Sequence, residues 1–167
     1  MATPAQARPP MPDATTDTFL QEVLTTANAH RARHHTPPLT LDPALTSYAK
    51  SRAQLISQKE GLSHGHAGLR AGTGETLFWG GSSRGDMFGG RAAVDVWYNE
   101  VASYDFDRPG YSPTTGSFTQ LVWKGTTRIG AARAFGAGTH AGETYIVVNY
   151  EKQGNMAGAF EGNVPRP

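Results

Sequence analysis

Apolar residues keep helical spacing through the first hundred positions and switch to strand alternation after Thr127, and that order limits the fold class most. Phe19, Leu20, Val23, Leu24 and Ala27 form one stripe, which predicts a first helix starting at Thr16 or Asp17, either of which can cap free N–H groups. It frays through HRARHH (30–35) and ends before Pro37-Pro38, because a residue preceding Pro avoids helical geometry. A second helix takes Asp42 as cap, Pro43 at its first position and Gly61 after its last turn, with Leu45, Tyr48, Ala49, Leu55 and Ile56 on its buried side. A third runs from about Arg91 to Tyr104, with Ala93, Val96, Trp97 and Val101 facing inward. Residues 127–135 (TRIGAARAF) and 145–150 (YIVVNY) read as strands joined through GAGTHAG. Helices first and antiparallel strands later predict an α+β layered domain. No internal repeat appears, so one domain over 16–167 follows a flexible lead-in over 1–15.

Residues 61–90 stand apart. They carry ten glycines in thirty positions, which predicts a long irregular loop without an extended regular element. Leu77, Phe78, Trp79, Met87 and Phe88 within it predict a folded loop that covers something.

Several function classes are excluded at this level. Fifteen basic against fourteen acidic residues leave no single-signed field for nucleic acid. The absence of cysteine removes disulfides, thiolate catalysis and Cys-ligated zinc. No apolar run approaches the ~20 residues of a membrane span. Ala5-Gln6-Ala7 fits the small-x-small pattern of a signal-cleavage site, within a Pro-rich start that also reads as a plain tail.

Four sites carry chemistry, each with a plainer alternative. His64 and His66 form an H-x-H pair that can bind a metal or simply be solvated. Glu75 follows Thr73-Gly74 and is either an aimed carboxylate or an exposed loop acid. Glu100 lies three positions after Trp97, so it either pairs within a cleft or sits one step off the buried stripe. Ser117 is a helix cap or, with a base nearby, a nucleophile, although no G-x-S-x-G elbow surrounds it.

Together these segments are similar to a known family. GSFTQLVWKGT (116–126) resembles the G-H-F-T-Q signature of the CAP superfamily, which comprises cysteine-rich secretory, antigen-five and pathogenesis-related proteins. YIVVNYEKQGNMAG resembles its second signature, with Val148 in the usual Cys place. LSHGH, GTGETLFWG and AAVDVWYNEVASYDF resemble its remaining segments, in family order over about residues 17–165. GAFEGNVPRP and the lack of cysteine resemble the Golgi-associated and bacterial members.

The resemblance implies a three-layer α-β-α sandwich with a central antiparallel sheet and a cleft lined by two His and two Glu. Carried over, these fall on His64, Glu75 and Glu100, with Ser117 replacing the second His. It implies weak or no metal binding: His64 alone, with a hydroxyl, makes a poor zinc site unless His66 or His140 substitutes. No cofactor is expected. The implied function is binding of a small apolar or lipid-like ligand, or of a protein partner, with Phe78, Trp79, Phe88 and Gln120 as contacts. The alternative is an enzyme using His64 with Glu75 and Glu100 as general acid/base, Ser117 assisting. A third reading is a buried polar network fixing the loop. The expected setting is extracellular, with the cytoplasm as alternative.

Overall fold

The computed structural model describes residues 8–167; the Ala5-Gln6-Ala7 motif lies outside them. The elements run α1 (Asp17–Arg33), β1 (Thr40–Leu41), α2 (Pro43–Ile56), β2 (Gly74–Ser82), α3 (Gly90–Asn99) with a 3-10 turn (Glu100–Ser103), α4 (Gly116–Val122), β3 (Arg128–Gly138), β4 (Ala141–Glu151) and α5 (Phe160–Asn163).

The sheet order is β1-β3-β4-β2, with β2 and β3 antiparallel to β4. The two-residue β1 runs parallel to β3, so the sheet is mixed at that edge rather than wholly antiparallel. One face packs against α2 through Ala49, Ala53, Ile56, Ala132, Ala134, Tyr145 and Val147. The other carries the larger core, where Phe19 and Val23 of α1, Trp97 of α3 and Phe118 of α4 meet Ile129, Ile146 and Val148. Alternate residues of β3 and β4 thus feed two cores, which makes the three-layer sandwich.

Both long helices begin as the sequence predicts. Thr16 accepts from the Phe19 amide at 3.1 Å, and Asp42 from the Leu45 amide at 3.0 Å. Several expectations need correction. The glycine-rich segment holds the nine-residue β2, because pairing along β4 outweighs the low strand propensity of Gly74, Gly80 and Gly81. Leu55 and Val96 face solvent, and Val94 takes the inward place on α3. HRARHH is no frayed end: Arg31 is fully buried and donates to the carbonyls of Pro37, Leu121, Trp123 and Thr126 at 2.8–3.1 Å. That guanidinium satisfies the open carbonyls where α4 ends. Burial lowers its pKa to about 10.

Residues 8–15, expected as part of a free lead-in, lie along the sheet. Met11 is buried, and the Ala14 amide donates to Arg133 at 2.7 Å. Arg8 forms a bidentate pair with the fully buried Glu143, at 2.8 and 3.1 Å.

Candidate functional site

β2 delivers Glu75 beneath the loop that carries both histidines. Its side chain is fully buried, and its oxygens are taken by three partners. Arg52 of α2 binds bidentately, Nε to Oε2 at 2.7 Å and Nη2 to Oε1 at 2.8 Å. Asn149 of β4 donates to Oε2 at 3.0 Å. His66 Nδ1 meets Oε1 at 2.9 Å. Burial alone would push this carboxyl up; the bonds from Arg52, His66 and Asn149 outweigh it and hold the pKa at about 2. Glu75 is therefore an ionised acceptor, and Nδ1 of His66 must be the donor. In the neutral ring that fixes the lone pair on Nε2. The imidazole is 55% exposed and lines a cleft of about 190 Å³ together with Thr73, Gln120, Gln153 and Asn155.

Gln120 closes the floor. Its Oε1 accepts from the Gly154 amide at 2.9 Å, and its Nε2 donates to Thr126 at 3.2 Å. It fits because Gly74 and Gly154 carry no side chain; a Cβ on Gly74 would sit 2.1 Å from its Oε1.

The other expected site residues have different partners. His64 Nε2 bonds the Ala67 carbonyl at 3.0 Å, so the imidazole joined to Glu75 is that of His66. Glu100 Oε1 accepts from the Phe118 amide at 2.9 Å and so caps α4 from another element. Burial pushes its carboxyl above the usual range, against the pull of the Phe118 and Ser117 amides. Ser117 is the second residue of α4, not its cap; Thr115 holds the cap position without a side-chain bond. The cleft lining includes none of His64, Glu100 and Ser117. His140 bonds Glu60 at 2.7 Å beside the β3–β4 turn. Of the expected contact residues, Gln120 lines the cleft. Phe78 packs on the core and against Phe88 at 5.5 Å, and Trp79 donates to Glu143 at 3.1 Å. Arg52 and Asn149 were not anticipated. A polar residue on the buried side of α2 was the available signal for Arg52.

The donor set does not fit zinc. One imidazole faces the cleft, Glu75's oxygens are engaged, and among the described residues no three His, Cys, Asp or Glu side chains converge.

The carboxylates set the acid response. Glu143 is likewise held at about 2: burial raises it, and bonds from Arg8, Trp79 and Tyr145 lower it further. A depressed carboxyl stabilises the fold fully above the usual 4.5 and loses that contribution as pH falls toward 2. For Glu75 the loss is on the order of 3 kcal/mol. Thermal melts should therefore decline modestly below about pH 6.5, where burial disfavours protonation of His34, and drop steeply by pH 3 as the carboxylates protonate. An unchanged melting temperature at pH 3 would contradict both assignments.

Comparison with known proteins agrees with this architecture. Residues 24–150 match the family described as CAP, the cysteine-rich secretory protein family. The chain is 33% identical to human "Golgi-associated plant pathogenesis-related protein 1" over 151 residues, covering 89% of this chain and 94% of that protein. It is 36% identical to "Protein PRY2" of Saccharomyces cerevisiae over 149 residues, 87% of this chain but 41% of that longer protein. A crystal structure of NaASP2 with Zn2+ superposes with a TM-score of 0.66 at 22% identity, covering 94% of this chain and 92% of that one. By signature order, fold and family match, this chain belongs to the CAP family.

Proposed function

We propose that this protein is an extracellular binding module whose cleft receives a segment of a protein partner or a small polar ligand at His66. One observation carries the reading: the bond from His66 Nδ1 to an ionised, buried Glu75 leaves Nε2 as the acceptor of an oriented, half-exposed ring that lines the cleft. Arg52 and Asn149 leave Glu75 no freedom to turn away, so the acceptor is preorganised. Phe78, Trp79 and Phe88 are half-buried and absent from the cleft lining, with Phe78 packed on Phe88 and Trp79 bonded to Glu143, which supports a hydrogen-bonding ligand rather than a lipid at His66. The family description names secretory proteins, and among the described residues no helix is long and apolar enough to cross a membrane. Both are compatible with the proposed setting.

The test is a two-dimensional NMR titration with N-acetyl, N′-methyl amino-acid amides and, separately, a fluorescent sterol and a fluorescent fatty acid. Saturable shifts of the Thr73, Gln153 and Asn155 amides by the blocked amino acids, lost in a His66→Ala variant that remains folded with only a small drop in melting temperature, are the expected result. Uptake of sterol or fatty acid that is indifferent to His66→Ala would sink the reading.

The same fixed tautomer also favours general-base chemistry as a second reading. Turnover of a substrate that disappears in both His66→Ala and Glu75→Gln would replace binding with catalysis.

A further inference from the structure

The cleft at His66 has a neighbouring cavity on the other side of Tyr111. Tyr111 and Asn155 line it on one side and also form a wall of a second cavity of about 570 Å³. Pro109, Gly110, Phe160 and Glu161 complete much of that second cavity. Pro109 and Glu161 in turn line a third hollow of about 450 Å³ that reaches Asp107 and Arg166. These three neighbouring hollows share lining residues, and such a row, taken together as a groove, suits an extended chain rather than a compact molecule.

The groove's charge selects among extended chains. At its far end Arg166 is already paired with Asp107, and at its near end Arg52 is spent on Glu75. Between them stands Glu161, an exposed carboxylate with no ion-pair partner among the described residues. Across the same cavity lies Tyr111, 63% exposed, with one ring edge seated against Gly116 at the start of α4 and the remainder open. A carboxylate and an open aromatic ring in one hollow form a receptor for a cationic side chain through ion pairing and cation–π attraction. Among the described residues no unpaired Lys or Arg lines these hollows to hold a fatty-acid carboxylate or a lipid phosphate.

We infer that the groove binds an extended peptide carrying a Lys or Arg side chain, which enters the hollow between Tyr111 and Glu161. This rests on the reading of the His66 cleft as a binding site and names its ligand class. The neighbouring stretch of the peptide then passes Tyr111 and Asn155 to reach His66.

The probes are terminally blocked hexapeptides of serine and alanine with a central Arg, norleucine or Glu, followed by amide chemical shifts. The Arg peptide should saturate with shifts at Gly110, Tyr111, Gly158 and Glu161, while the norleucine and Glu peptides should not saturate. Both Glu161→Gln and Tyr111→Ala should weaken it about five- to tenfold, and raised salt should weaken it further. Both residues are exposed, so their melting temperatures serve as the folding control. Equal binding of the Arg and norleucine peptides, or indifference to both substitutions, overturns the proposal. So does saturation of the same amides by anionic phosphatidylserine vesicles but not by the Arg peptide. Shifts confined to Gly110, Tyr111 and Glu161 that are insensitive to His66→Ala support the cationic subsite while refuting the His66 reading. Shifts at Thr73 and Gln153 alone do the reverse.

Discussion

Replacing Arg52 with alanine is expected to destabilise the protein by about 3–5 kcal/mol, because it leaves the Glu75 carboxylate buried without its charge partner. Arg52 is 2% exposed, and its fork satisfies both Glu75 oxygens. Its remaining nitrogen holds the Ala67 carbonyl at 2.8 Å, so the same side chain ties α2 to the histidine loop and to β2. For a domain of this size the melting temperature should fall on the order of 10 °C. The double replacement Arg52→Met with Glu75→Leu should recover much of that loss, since a packed apolar pair carries no stranded charge. A single substitution within about 1 kcal/mol of wild type, measured by urea denaturation, would show that the pair does not hold the site together.

Gly130→Ala should be comparably damaging for a different reason. A Cβ built there would lie 2.1 Å from the carbonyl carbon of Leu45, 2.2 Å from the Thr46 nitrogen and 2.3 Å from the Leu45 oxygen. These are main-chain atoms of α2, so no rotamer change relieves the clash and the helix must lift off the sheet. Overpacking of this kind costs about 3 kcal/mol or more. Gly162→Ala supplies the contrast: nothing lies within 4 Å of its added Cβ, and its effect should stay within about 0.5 kcal/mol. Equal effects at the two positions would contradict the tight α2–β3 packing.

What the sequence conveyed follows from how local each signal is. Asp42 was legible as a cap, and the first cap was narrowed to Thr16 or Asp17, because a cap needs only its own next three residues. YIVVNY was legible as a strand because its apolar, β-branched run is continuous. β2 was not, because its glycines depress intrinsic propensity and its partner strand lies about seventy residues away. Arg31 was invisible to hydropathy: of the four carbonyls it satisfies, one is nearby at Pro37 and three belong to the distant segment 121–126. At the site, the two family glutamates were located by motif, yet Glu75 anchors the histidine loop while Glu100 caps α4. The choice between His64 and His66 depended on the turn at Gly65, whose φ of +57° lies in the left-handed region. Spacing alone carries no information about which of two flanking imidazoles that turn brings to the carboxylate. The missing family His at Ser117 was readable, whereas the capping of that helix by Glu100 was not.

The ring proton of His66 decides the account most directly. Long-range proton–nitrogen correlation spectra, recorded at a pH where the imidazole is neutral, distinguish its two tautomers. The bond to Glu75 predicts a protonated Nδ1 and a bare Nε2. A His66 ring protonated on Nε2 instead would mean that Glu75 does not orient it, and the acceptor on which the proposed binding rests would not exist.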